Sequence, residues 1–241
     1  RAASPLELMV LPSEWVTSDC AAPCVRATFP VVDAVFNTIL LEVSVILIGT
    51  FVSALAAVSF AKLKLQHKTF WLLFLMSGMM VPYAALMLPQ FRVFQSINMF
   101  DTLWPLILPG FFGNVSMLFF LVQYMRGVPN AILEAARIDG AGHFTCFIRI
   151  MFPLVKTAIA AQVIFWFIGI WNDYFAPSIY LITPEKMTLQ ALLGSLNPSM
   201  TRQYLPMALA GAVLSCIPLF VIYLSCHKFF LQSFALSGVR G

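Results

Sequence analysis

Five long apolar runs, separated by short polar stretches, organise this chain. They extend from about Phe36 to Ala61, Phe70 to Leu88, Leu103 to Met125, Leu154 to Trp171 and Leu205 to Ser225. A helix needs roughly 20 residues to cross a hydrocarbon core of about 30 Å, and each run is near that length. Backbone groups in lipid must be satisfied inside helices or closed barrels, and these runs lack the alternation of a barrel strand. The pattern predicts an all-α, polytopic transmembrane helix bundle with five visible spans. Prolines at 82, 89, 105, 109, 153 and 218 lie inside or beside the runs. Membrane helices tolerate them as packing kinks, and hinges in a bundle that opens alternately to either side are the other reading.

The loop at residues 126–150 has a different period. Pro129 suits the first turn of a helix, where its missing N–H is not needed. Ile132, Ala135, Ala136 and Asp139 then recur at three- and four-residue intervals along one side. Gly140 supplies the left-handed residue that ends a helix. A helix of about ten residues is too short to hold itself in water, so it needs a docking surface. Two alanines permit close approach of another backbone, and Glu134 offers a carboxylate to a partner's cation. An ordinary loop helix with an internal Glu134–Arg137 pair fits the spacing equally well.

Composition strengthens the membrane reading. The chain is 61% hydrophobic and 10% charged, whereas soluble domains carry about a quarter charged residues. The net charge of +4 comes without a basic cluster interleaved with aromatics, which argues against nucleic-acid binding. Lys and Arg in the loops divide nine to five. The richer side carries Lys62, Lys64, Arg126, Arg137, Arg149 and Lys156, and is expected to be cytoplasmic. That places the polar helix and the C-terminus inside. It makes residues 1–35 an extracytoplasmic leader, residues 36–241 the transmembrane domain, and residues 172–204 an external loop. An outside N-terminus without a translocation signal suggests a missing upstream span.

Polar side chains within spans are costly and tend to face a cavity or another helix. Asn37, Glu42, Asn114, Gln123 and Gln162 are the candidates. Glu42 lies about 8 Å from the start of its span, so it either reaches the outer interface or lines a path. Asn172 and Asp173 open the external loop and fit an outer mouth, although Asn172 could equally cap a helix. Gly49/Ser53 and Gly211/Ser215 have the four-residue spacing that lets helices pack closely. The histidines have no ligand spacing, so no metal site is expected. Cys146, Cys216 and Cys226 read as small buried hydrophobes. Cys20 and Cys24 could bridge in an oxidising compartment, through a small and strained ring. The chain contains no Gly-x4-Gly-Lys-Ser/Thr phosphate loop, so it is not expected to hydrolyse ATP. A membrane-embedded enzyme would need converging catalytic groups that the spans do not supply. A secondary transporter would show internal repeats, and none is evident.

Glu134, Ala135, Ala136, Gly140, Ile150 and Pro153 together resemble the coupling motif of permease subunits from bacterial ATP-driven importers. Phe152 departs from it, where leucine is usual. Phe36-Asn37-Thr38, the segment 56–62, Trp171-Asn172-Asp173, Thr188-Leu189 and the glycine-rich tail 237–241 are similar to the carbohydrate branch of that family. The similarity runs from about residue 36 to the end. It implies a permease with six spans when complete, in the bacterial cytoplasmic membrane. The permease would pair with a second permease as a heterodimer, and with an ATPase dimer that holds ATP-Mg, this chain binding no cofactor itself. An extracytoplasmic sugar-binding protein would deliver the substrate. The resemblance implies that Glu134, Ala135, Ala136, Arg137, Asp139, Gly140, Pro153 and Arg240 couple to the ATPase. An importer of another small solute, such as an amino acid or phosphate, shares the coupling motif, and a secondary transporter is the remoter alternative.

Overall fold

A computed structural model describes residues 30–196 and 205–238, the latter through its backbone alone at 205, 207 and 226–238. All regular structure among the described residues is helical. In order, the elements are α1 (Val31–Lys62), α2 (Lys68–Met79), α3 (Tyr83–Ser96), α4 (Trp104–Phe111), α5 (Val115–Arg126) and α6 (Asn130–Ile138). They continue with α7 (His143–Leu154), α8 (Lys156–Trp171), α9 (Phe175–Tyr180), α10 (Leu189–Ser195) and α11 (Leu205–Gly238). Among the described residues, three stretches are long and apolar enough to cross a membrane: Val31–Lys62, Trp104–Arg126 and Ala208–Ser225. The number rises to five if each of two bent pairs, α2 with α3 and α7 with α8, is one span.

The bends correct the picture of uninterrupted runs. The run Phe70–Leu88 breaks at Met80–Pro82, and α2 meets α3 at 89°. Pro82 disfavours helical backbone at Val81 and serves as the N-terminal boundary residue of α3. Hydropathy does not register this corner, because the residues on both sides of it are apolar. The run Leu103–Met125 divides at 112–114, where Gly113 takes φ +89°, a conformation that suits glycine. Asn114 then caps α5 by accepting the Met117 N–H at 3.1 Å. α7 contains a π-helical turn at Phe147–Met151, directly before Pro153. Proline cannot donate to the carbonyl four residues earlier, so the ladder is already disturbed there, and α7 meets α8 at 77°.

The largest apolar core joins α1, α5, α6, α7 and α8 around Ala54, Leu121, Leu133, Phe147, Met151 and Val155. Small residues set the approach of α1 to its neighbours. A Cβ on Gly49 would strike the Trp166 ring and the Gly110 carbonyl oxygen, and one on Gly113 would meet Ser53 Oγ. Ser53 Oγ also accepts the Asn114 backbone N–H at 2.8 Å. At Gly211 a Cβ would strike Leu193. Both small-residue pairs therefore sit at tight helix contacts. The opposite face of α1 exposes Val32, Phe36, Leu47, Phe51 and Leu55, an apolar stripe at helical spacing suited to lipid or a second membrane protein. Cys146 is buried, but Cys216 is exposed. It faces the apolar groove between α8 and α11, which a hydropathy reading cannot distinguish from a core position.

The described part of the external segment, residues 172–196, is not a plain loop. It contains α9, a short 3-10 turn at Pro184–Lys186 and α10, and it folds back on the start of α1. Asn37 donates to the carbonyls of Glu185 and Met187 at 2.9 and 3.2 Å. Thr38 Oγ1 accepts the Leu189 N–H at 2.9 Å.

Candidate functional site

The polar helix predicted between two apolar runs forms as α6, with Pro129 just ahead of its first turn rather than within it. Gly140 follows at φ +83° with open space where a Cβ would lie. Its role is therefore the backbone turn, and no neighbour among the described residues crowds it. The buried anchor is Leu133, 5% exposed, which the three- and four-residue stripe did not single out. Ala136 is half-buried against the same core. Glu134, Ala135, Asp139 and Ile132 are exposed, and Ile138 is 87% exposed. The helix thus sits on the surface, with Leu133 and Ala136 toward the core and Ala131, Ala135 and Ile138 forming an uncovered apolar face beside Glu134. An apolar face at the surface of a marginal helix is suited to docking.

Glu134 and Arg137 do not pair; the one ion pair among the described residues is Lys186–Asp101. Arg137 lies one turn beyond Leu133 and lines a recess behind the helix, so the two charges point in different directions. Pro153 is exposed at the bend between α7 and α8, and Ile150 packs against the core. Arg240, Cys20, Cys24 and the side chain of Cys226 lie outside what the structure describes.

The sequence offered Lys62 as a loop cation and as one letter of a family landmark, without naming its partners. Its Nζ donates to the Val128 carbonyl at 2.5 Å and to Asn130 Oδ1 at 2.9 Å. A cation at the C-terminal end of α5 is favourably placed for the exposed carbonyls there. The same ammonium ties the end of α1 to the first residue of α6. The position of α6 is thereby tied to the 32-residue helix α1.

A second feature lies at the break between α2 and α3. A cleft of about 900 Å³ is lined by Ser77, Gly78, Tyr83, Gly113, Asn114 and Ser116, with Phe74 and Met79 as apolar wall. The C-terminus of α2 and the N-terminus of α5 converge on it. Broken helices whose ends border a cavity are the recurrent way membrane proteins offer backbone and small polar groups to a solute. Of the residues proposed from sequence for a path, Asn114 alone lines this cleft. Asn37 holds the 185–187 turn, as described above. The Asn172 side chain donates to the Ile168 carbonyl at 2.8 Å and caps α8. Asp173 Oδ1 accepts the N–H groups of Phe175 and Ala176 at 3.0 and 3.3 Å and starts α9. Glu42 is 2% exposed, so it does not reach the outer interface. Its Oε1 has no hydrogen-bond partner among the described residues. The α2/α3 corner that creates the cleft had no signal beyond Pro82.

Asp101 dominates the end of the bundle away from α6. Its carboxylate accepts from the Ile182 and Thr183 N–H groups at 2.9 and 3.0 Å, from Thr183 Oγ1 at 2.6 Å and from Lys186 Nζ at 2.8 Å. Partial burial opposes its charge, but the hydrogen bonds from Lys186, Thr183 and Ile182 outweigh this and hold the carboxyl well below the usual carboxylate range.

A bundle with broken spans, a polar cleft at one break and a surface helix between spans defines a membrane transport component. The chain matches the family of binding-protein-dependent transport system inner membrane components over residues 33–233 and belongs to it. It is 31% identical over 206 residues to the arabinooligosaccharides transport system permease protein AraQ of Bacillus subtilis (strain 168), covering 86% of this chain and 73% of that one. It is 30% identical over 206 residues to the maltodextrin transport system permease protein MdxG of the same organism, covering 85% and 74%. Its fold is similar to a crystal structure of a bacterial ABC transporter involved in the import of the acidic polysaccharide alginate. The TM-score is 0.72 at 21% identity, over 94% of this chain and 88% of that chain.

Proposed function

We propose that this chain is one permease half of an ATP-driven importer for a sugar or oligosaccharide. It pairs with a second permease subunit to enclose the path across the bacterial cytoplasmic membrane. Its relatives are named for transport of arabinooligosaccharides and maltodextrin, which supports a carbohydrate substrate. ATP-Mg is held by a separate ATPase dimer, and an extracytoplasmic binding protein delivers the solute. The loop charge asymmetry puts α6 and the C-terminus on the cytoplasmic side. The observation that carries the reading is the uncovered face of α6, with Glu134 beside Ala135 and Ile138.

In this mechanism the ATPase grips α6 through Ala135, Ile138 and the Glu134 carboxylate, with Asp139 and Gly140 at the end of the helix; the family resemblance assigns Arg240 to the same partner. Closure of the motor displaces α6. Lys62 and Leu133 pass the displacement to α1 and the core, and the bend at Pro153 passes it to α8. The cleft at Ser77, Tyr83 and Asn114 would then be exposed to one side or the other, a rigid-body switch between two states. Asn37, Asn172 and Asp173 act on the path indirectly, by fixing the 185–187 turn and the ends of α8 and α9, while Glu42 is buried within the bundle.

The test is uptake of labelled oligosaccharides by vesicles containing this chain, its partner permease, the ATPase and the binding protein. ATP-dependent accumulation is expected, and Glu134→Lys should abolish it while the complex components remain in the membrane. Accumulation without ATPase would overturn the assignment.

A further inference from the structure

A recess of about 310 Å³ lies between α6 and the membrane-spanning bundle. Its walls include Leu55 and Val58 of α1, Leu133 of α6, and Phe144 and Phe147 of α7, while Arg137 and His143 line its polar side. Among the described residues no carboxylate lines it, and Arg137 forms no ion pair with any of them. Arg137 is exposed at the recess mouth, so its guanidinium is free to receive an anion that carries an apolar body.

The surroundings specify which kind. Leu55 and Val58 belong to the last turns of the first span, just before Lys62 and Lys64 mark the end of the apolar run. The exposed stripe Leu47, Phe51 and Leu55 runs along α1 into the recess. An acyl chain lying on that stripe would bring its headgroup phosphate to the guanidinium, where a planar fork binds phosphate through paired hydrogen bonds. We propose that this recess is a binding site for an anionic phospholipid of the leaflet facing α6. The phosphate sits on Arg137 with His143 at the rim, and one acyl chain lies against Leu55 and Phe51. The lipid would wedge α6 against the bundle from the side opposite its docking face. The leaflet assignment rests on the importer reading, whereas headgroup selectivity does not.

The test uses the purified permease–ATPase complex in nanodiscs of phosphatidylglycerol, phosphatidylcholine or their mixture, then native mass spectrometry of retained lipid. Preferential retention of phosphatidylglycerol is expected. Arg137→Gln should weaken that retention about tenfold, the loss of one charge-assisted contact. Leu55→Trp, which fills the recess without altering charge, should also reduce it, and Arg92→Gln at the far end of the bundle should not. Equal retention of both lipids by the wild-type complex overturns the proposal, as does retention insensitive to both recess variants. Crosslinking of position 55 to the second permease would overturn it by showing a protein in the acyl-chain position. Co-purification of the ATPase is scored separately, so failure of the importer reading and failure of the lipid site give different results.

Discussion

Lys62 Nζ stands 2.9 Å from Asn130 Oδ1 while also donating to the Val128 carbonyl. One side chain thus spans the end of α1, the end of α5 and the start of α6. Hydrogen bonds to a charged group contribute about 1.5–3 kcal/mol, enough to decide where a nine-residue helix sits. Lys62→Met is expected to leave membrane insertion intact and lower ATP-dependent uptake about tenfold or more. Asn130→Ala should have a smaller effect, since the Val128 contact survives. Uptake assays beside quantified membrane levels check both, and wild-type uptake by Lys62→Met would remove this link from the mechanism.

Gly140 has space for a side chain but a left-handed backbone. Gly140→Ala should therefore cost about 1–2 kcal/mol through backbone strain alone, and Gly140→Asn less, because asparagine tolerates that region. Thermal unfolding of the solubilised complex should rank them glycine, asparagine, alanine. Equal stability of all three would show that the turn has relaxed.

Gly49 is the converse case, where space decides. Its position against the Trp166 ring and the Gly110 carbonyl means that Gly49→Leu must push α1 away from α4 and α8. Overpacking typically costs about 1–3 kcal/mol. Reduced thermal stability is expected, with partial recovery in Gly49→Leu combined with Trp166→Ala. A fully stable single variant would contradict the contact.

The pH dependence of the 181–187 segment follows from Asp101, whose carboxyl is held below its ordinary range. For a depressed acid, the stabilisation is complete above the unfolded value of about 3.9 and is lost as pH falls through the folded value. Protection of the Ile182 and Thr183 amides against hydrogen exchange should therefore persist at a pH where an ordinary aspartate is already half protonated. In Asp101→Asn the acid-dependent loss should vanish and protection at neutral pH should fall. Lys186 is half-exposed, so salt should weaken its share. Identical pH profiles for the two proteins would exclude the mechanism.

Local chemistry explains what could be read from the sequence alone. Gly140 ends α6 because glycine tolerates that turn, and the apolar runs are helices because lipid allows little else. The period of α6 was legible, but not which face it buries; Leu133 is chosen by the contour of α7 and α1 behind it. The corner at Pro82 escaped for a related reason, since hydropathy is the same before and after it. Asn37 was expected to line a path and instead holds carbonyls 148 and 150 positions away. No local pattern encodes a pairing at that range. Asn172 and Asp173 read as mouth residues from their position, with a helix cap as the other reading of Asn172; in the structure Asn172 ends α8 and Asp173 starts α9.

The 181–189 strap has a mechanical consequence. It is laced to Asp101 ahead of α4 and to Asn37 and Thr38 on α1, about 40 Å along a 32-residue rod from the Lys62 tether. Those ends cannot spread apart singly without unfastening several bonds together. In the importer proposed above, a gate at that end would therefore open along the seam with the second permease, each half tilting like a stiff door leaf.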